Sequence, residues 1–295
     1  RLIYTQIIPN MSRRVLGSEV ADAAGSENTD DLQRLSRIEA ADIPRTAQNT
    51  DFANNEALIS RTFQQLDQMV GMADVKRALH DLVGAARARW QANGDVLDTI
   101  PLQWTFTGST GTGKSSVAKR LASLLHAFGL INSDRMTQLR MAQTDNNTWS
   151  AYEIDKLLRD TMKQAGQGLL FIDLDDVANQ HIDIRWLRCK LTSLTAEMPG
   201  SYAFVIAVDD KRLAPQPIDM PLSPSVIHFA DYSADELMAI LVQRLSKHRY
   251  TLTDEASTLL GEHIARLCRN KSFGYANART MKHLYTALTS AAELR

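Results

Sequence analysis

Cysteine is almost missing from this chain. Cys189 and Cys268 are its two, too few for a disulfide framework or a four-ligand zinc site, and too widely separated for a short metal motif. A reducing, cytoplasmic setting is the expectation that follows. Surplus charge is also missing: 33 Lys and Arg face 34 Asp and Glu, a formal net charge of −1. Broad phosphate neutralisation needs a basic excess, so nucleic acid is not expected as a partner. No apolar run approaches the roughly 18 residues of a membrane span, and the first residues lack the basic, apolar and small-residue order of a signal peptide. No membrane partner is expected either. The seven histidines form no H-x-x-x-H pair with a flanking glutamate, and no G-x-S-x-G elbow occurs, which removes zinc and serine hydrolysis. Cys189 reads as lying on a buried helix face, which removes a catalytic thiol.

What the chain does have is globular composition, 44% hydrophobic and 23% charged over 295 residues, enough for one large domain or two smaller ones. Residues 1 to about 65 read as a linker or docking arm, poor in aromatics and rich in Ala, Ser, Asn and Asp. The first residue, Arg1, points to a piece of a longer protein. From residue 66 the pattern alternates. Val75, Leu79, Leu82, Val83 and Ala86 predict a helix over Ala73 to Trp90, and Leu102 to Thr107 predicts a strand. Helices follow over Lys114 to Phe128, Trp149 to Gln164 and Ile184 to Met198. The apolar runs Leu169 to Ile172 and Tyr202 to Val208 read as buried parallel strands. After Phe229 the strands are expected to stop, and Ala234 to Lys247, Asp254 to Cys268 and Ala276 to Glu293 carry helical periodicity. The order predicts an α/β fold with a parallel, three-layer core over residues 66–230 and a small all-α lid over residues 231–295.

At the end of the first strand stands Gly108-Ser109-Thr110-Gly111-Thr112-Gly113-Lys114-Ser115, the pattern G-x-x-x-x-G-K-[ST]. Its spacing has a mechanical reason. Glycines let the backbone curl so that amide N–H groups point at phosphates, and the helix that follows offers its positive end to the same anion. Lys114 then reaches the outer phosphates, the Ser115 hydroxyl ligates Mg²⁺, and Ser116 completes the phosphate-side set. The magnesium needs a carboxylate at the end of a neighbouring strand, and Asp173, after Leu169-Leu170-Phe171-Ile172, supplies one. ATP or ADP with Mg²⁺ is thus the expected cofactor. Enzymes that hydrolyse usually follow this acid with a glutamate that orients water. Here Leu174 stands in its place. Asp175 and Asp176 come next, and they are the candidate catalytic acids, with helix capping or plain solvation as the alternative role.

With these motifs on the page, the chain resembles the AAA+ ATPases, in particular the branch of red-type Rubisco activase and stage V sporulation protein K-like proteins. The resemblance runs from about Leu66 to the C-terminus. It is carried by Gly108 to Ser115, Phe171-Ile172-Asp173, the stretch His228-Phe229-Ala230-Asp231-Tyr232-Ser233-Ala234-Asp235-Glu236-Leu237, and Asn277-Ala278-Arg279. It implies that Val70 and Gly71, with Met72, lie against the adenine. It also implies that Arg279 meets the γ-phosphate from the lid, and that Asp209 or Asp210 stands near the polar sensor at the end of its strand. An oligomer, and a protein partner or neighbouring AAA+ domain, are implied as well. The departures are specific. Where the family carries two arginines that reach into the neighbouring subunit's nucleotide, this chain has Ser223 and Ser225, and a serine offers neither the charge nor the fork of a guanidinium. Arg185, Arg188 and Lys190 form a solvated helix face, a basic interaction face or a replacement for those arginines. Trp149 is either a helix anchor or a substrate-touching residue. Binding parts present and hydrolytic parts replaced imply a nucleotide-binding regulatory or assembly module. The alternatives are an active remodelling ATPase and a scaffold that has given up nucleotide.

Overall fold

A computed structural model describes residues 55–93, 100–140, 150–174, 182–198, 201–209, 226–271 and 275–293. The helices are α1 (Glu56–Asp67), α2 (Ala73–Asn93), α3 (Lys114–Ala127), α4 (Ala151–Ala165), α5 (Ile184–Glu197), α6 (Ala234–Lys247), α7 (Asp254–Asn270) and α8 (Asn277–Glu293). The strands are β1 (Gln103–Thr107), β2 (Met136–Arg140), β3 (Leu169–Asp173), β4 (Ala203–Val208) and β5 (Val226–His228). They pair in the order β2-β3-β4-β1-β5, every pair parallel. Each connection therefore has to cross the sheet, and helices fill the two faces.

The alternation of side chains along the inner strands builds two separate cores. On β3, Leu169 and Phe171 join one cluster while Leu170 and Ile172 join the other. On β4, Ala203, Val205 and Ala207 face the first, and Phe204, Ile206 and Val208 the second. The first layer holds α1, α2 and α3 through Ile59, Leu66, Leu79, Val83, Leu121 and Leu125. The second holds α4 and α5 through Ile154, Leu158, Leu187 and Leu191. Strands buried on both faces read as continuous apolar runs, which is why β3 and β4 were legible as sequence.

Three elements were not. Residues 56–65, assigned to the arm on composition, form most of α1, whose Ile59, Thr62 and Leu66 are buried. Asn55 ties its start to α3 through a 2.8 Å bond from Nδ2 to the Ala127 carbonyl. Lys76 caps its end, donating to the carbonyls of Asp67 and Met69. β2 is the second, and β5 the third, a three-residue strand just before Phe229, where no element had been named. On α5, Cys189 is exposed, which corrects the expectation of a buried face. Leu187, Leu191 and Leu194 are the inward residues, and Cys189, two positions from Leu187, is turned about 200° away from it.

The lid helices α6, α7 and α8 close over a third cluster of Tyr232, Leu237, Leu241, Leu245, Ile264 and Met281, which Met72 joins from before α2. No described helix is long and apolar enough to cross a membrane.

Candidate functional site

The glycine-rich loop hangs from the C-terminal end of β1. Gly108 donates its N–H to the Val208 carbonyl, and Phe229 returns one to the Thr107 carbonyl at 2.7 Å, so the loop starts pinned between β4 and β5. Gly108 has φ +135°, and a β-carbon there would lie 2.2 Å from the Phe229 carbonyl oxygen. Gly113, at φ +97°, is the N-cap of α3 in the left-handed region. The Thr112 hydroxyl, fully buried, donates to the Ser109 carbonyl at 2.8 Å and closes the turn. Gly111, at φ +81°, completes a backbone that L side chains would hinder.

Lys114 opens α3 and is 4% exposed. A buried ammonium requires partners, and its Nζ donates to the carbonyls of Gly108 at 2.5 Å and Ser109 at 2.9 Å. Ser115 and Ser116, half-buried, follow in the first turn, with Ser109 and Thr110 half-buried in the loop. Two strands away, Asp173 ends β3. It pairs in register with Ala207, which pairs with Phe106. This sets the Asp173 Cα about 10 Å from that of Phe106, at the same edge of the sheet as the loop. Asp173 is 8% exposed and accepts from Gln138 Nε2 at 3.0 Å. Asp209, half-buried, follows β4 between the two.

Leu174 is 1% exposed, donates its N–H to the Ala207 carbonyl at 3.0 Å, and belongs to the core against α4 and α5. The strand alternation therefore continues past Asp173: the acid shares a face with Phe171 and the loop's helix, and the next side chain goes to the opposite layer. Asp175, Asp176, Asp210, Ser223, Ser225 and Trp149 lie outside the described residues. On α5, Lys190 Nζ pairs with Asp155 Oδ1 at 2.6 Å and Arg185 Nε with Asp183 Oδ1 at 3.8 Å. Hydrogen bonds from Lys190 and then Arg159 hold the Asp155 carboxyl below its usual range.

Val70, Gly71 and Met72 come to the loop from the other side. A β-carbon at Gly113 would sit 3.2 Å from both Met72 Sδ and Tyr232 Oη. Gly71, at φ +67°, runs against Glu236 and Tyr232. Burial first, then the charge of Glu236, pushes the Tyr232 phenol up to about 12. So the segment before α2, the head of the lid and the start of α3 converge.

The last approach is the one for which no role had been read. Asn277, 1% exposed at φ +45°, opens α8. Its Nδ2 donates to the Thr110 carbonyl at 3.3 Å and to Asp231 Oδ1 at 2.9 Å, and its Oδ1 accepts from the Tyr232 N–H and the Tyr275 hydroxyl, each at 3.3 Å. Both donors and both lone pairs are used. Ala278 adds an N–H to the Gly111 carbonyl at 3.2 Å. Burial works to raise the Asp231 carboxyl, but bonds from Lys271, Asn277 and Ser109 together hold it below its usual value, with Lys271 Nζ at 2.5 Å from Oδ2. Arg279, exposed, stands two residues further along the same helix start. Asp231 and Asn277 both sat inside stretches that carried the resemblance, but no pattern at 46 residues' separation says that they meet.

These residues fit a nucleoside phosphate with a divalent cation. The loop is a cradle that β-carbons would fill, its first helix starts at the cradle, and it offers an ammonium, hydroxyls and a strand-end carboxylate. Among the described residues no group of three or more His, Cys, Asp and Glu could hold a metal alone. Magnesium bound through phosphate oxygens and water needs only one or two protein ligands.

Comparison with known proteins finds relatives over most of the chain and a match to its C-terminal part. Residues 233–295 match the family model described as AAA lid domain. A CfxQ homolog of Pyropia yezoensis is 25% identical over 258 residues, covering 80% of this chain and 85% of that protein. The chromosomal CbxX protein of Cupriavidus necator is 28% identical over 247 residues, 76% of this chain and 73% of the relative. The CbbX protein of Cereibacter sphaeroides is 28% identical over 240 residues, covering 75% and 74%.

Proposed function

We propose that the chain is a AAA+ protein, an ATP-binding module with weak or no hydrolysis that regulates or assembles a larger protein, a reading supported by its matched lid and its relatives. We take residues 66–230 as its core, with α1 from Glu56 packed on it, and 231–295 as its lid. The loop amides and Lys114 hold the phosphates, Ser115 and Asp173 hold magnesium, and Val70, Gly71 and Met72 flank the base. Arg279 carries the lid's charge toward the phosphates, and Asp209 stands at the strand end between loop and acid. Bound magnesium would neutralise phosphate charge; the chain's own part is to cradle, orient and exclude water.

The observation that carries this reading is Leu174, which directly follows the strand-end acid Asp173 but is buried in the apolar core of the opposite layer. A leucine has no lone pair with which to orient water, and burial commits it to packing. The protein partner is a neighbouring AAA+ domain or a second copy, the class of surface to which a lid angle set by nucleotide would be presented.

The test is direct. The whole chain should gain thermal stability from ATP with Mg²⁺, the Lys114→Ala variant should not, and phosphate release should match between the two. Release clearly above the Lys114→Ala control would sink this reading in favour of a remodelling ATPase in which Asp175 or Asp176 acts. Absence of any shift with the wild-type chain would leave a nucleotide-independent scaffold.

A further inference from the structure

We infer that Asn277 is a positioning residue for nucleotide binding, fastening the phosphate loop to the head of the lid so that loop geometry and lid orientation are one equilibrium. The inference rests on reading Gly108 to Ser115 as the nucleotide site. It concerns a residue other than the arginine through which the resemblance joins lid to phosphate.

Asn277 is 1% exposed and makes four hydrogen bonds. Two of these partners, Asp231 and the Tyr232 N–H, stand just before the first lid helix, and one is the Thr110 carbonyl in the middle of the loop. A loop whose amides point inward must turn carbonyls outward, and Thr110 and Gly111 give theirs to Asn277 and Ala278. The contact cannot be made with more space between the parts, because a β-carbon at Gly111 would lie 1.9 Å from the Ala276 carbonyl oxygen. Asp231 fixes the side-chain amide from behind and is itself paired with Lys271. Pulling the lid away thus breaks the Asn277–Thr110 and Ala278–Gly111 bonds, leaves one Asn277 amide N–H without its acceptor and frees the loop backbone. A loop held in its phosphate-ready shape loses less freedom on binding.

The inference separates Asn277 from Arg279. Its bonds reach the loop backbone, which serves every phosphate, so its loss should weaken ATP and ADP alike, whereas loss of a γ-phosphate contact should weaken ATP alone.

The experiment is calorimetric titration of the full chain with ATP-Mg²⁺ and with ADP-Mg²⁺, well below the melting temperature of each variant. Asn277→Ala, and Asn277→Asp, which sets acceptor against acceptor at Thr110 and Asp231, should each bind both nucleotides about tenfold more weakly with the ATP-to-ADP ratio unchanged. Asp231→Asn keeps the shape of the site and should give a smaller loss, about threefold. The exchanged pair Asp231→Asn with Asn277→Asp restores donor against acceptor at that contact and should recover part of the Asn277→Asp loss. Affinities within about twofold of wild type in folded variants, or a loss confined to ATP, would overturn the inference. If Asn277→Ala does not fold, the Asp231→Asn variant and the exchanged pair decide by the same criteria. Failure of the wild-type chain to bind either nucleotide is a different result: it removes the nucleotide reading itself, and this inference with it.

Discussion

A β-carbon at Gly111 would stand 1.9 Å from a lid carbonyl oxygen, with φ at +81°, so space and backbone conformation both select glycine there. The motif G-x-x-x-x-G-K-[ST] leaves this position open; the lid's demand on it needs the folded chain to be seen. Gly111→Ala should cost about 2 kcal/mol or more in urea denaturation, since the clash is with main chain that cannot swing aside. Gly71→Ala meets the end of the Glu236 side chain instead, and should cost less. Leu174 is the second residue whose meaning is decided by packing. Leu174→Ala should destabilise by about 2–4 kcal/mol through the cavity it leaves. Leu174→Glu should lower the melting temperature further at neutral pH, because the new carboxylate is directed into a layer of Leu170, Ile172 and Val208. Its position, a leucine directly after the strand-end acid, was legible from sequence. Its destination, the helix layer opposite the loop, follows from strand parity.

Helix starts were well marked in the chain. Ser150 and Ser233 each stand three residues before a glutamate, and both pairs form reciprocal capping boxes, at α4 and α6. Ser233→Ala should cost about 1 kcal/mol in thermal or chemical unfolding, and Glu236→Ala part of that, since each leaves one end of the box unmade. The elements that escaped the sequence have a common physical cause. Met136–Arg140 reads M-T-Q-L-R, an edge strand with one face toward solvent and no apolar run. Val226–His228 is three residues long, below the length at which alternation can be recognised. Helix α1 lies in a polar neighbourhood and is held by Ile59 and Leu66 against α3; tertiary burial outweighs composition there. Long inner elements, such as β3, β4 and α6, were predicted to within a residue or two because burial on both faces, or a full apolar stripe, writes itself into many positions.

At the scale of the whole molecule, two hydrophobic layers and a lid core meet at one edge of a parallel sheet, and the polar cluster of Asp231, Asn277 and Lys271 joins the lid to the loop. That joint has a sign in pH. The folded Asp231 carboxyl is held below its usual value, so its contribution is complete above about pH 4 and is lost as pH falls through the lower folded value. Denaturation midpoints should therefore show the wild-type chain losing stability on the acid side more steeply than Asp231→Asn, the two converging as the carboxylate protonates. The sequence by itself determined the layered α/β core, the glycine-rich loop with its lysine and serine, the strand-end acid and the helical lid, because each is a local pattern of periodicity or of adjacent residues. Only the tertiary structure decided that Thr110 and Gly111 face Asn277 and Ala278, that Met72 and Tyr232 close on Gly113, and that Leu174 belongs to the core. Those contacts join stretches far apart in the chain, and hydrogen bonds and van der Waals surfaces depend on distance in space, which local pattern does not encode.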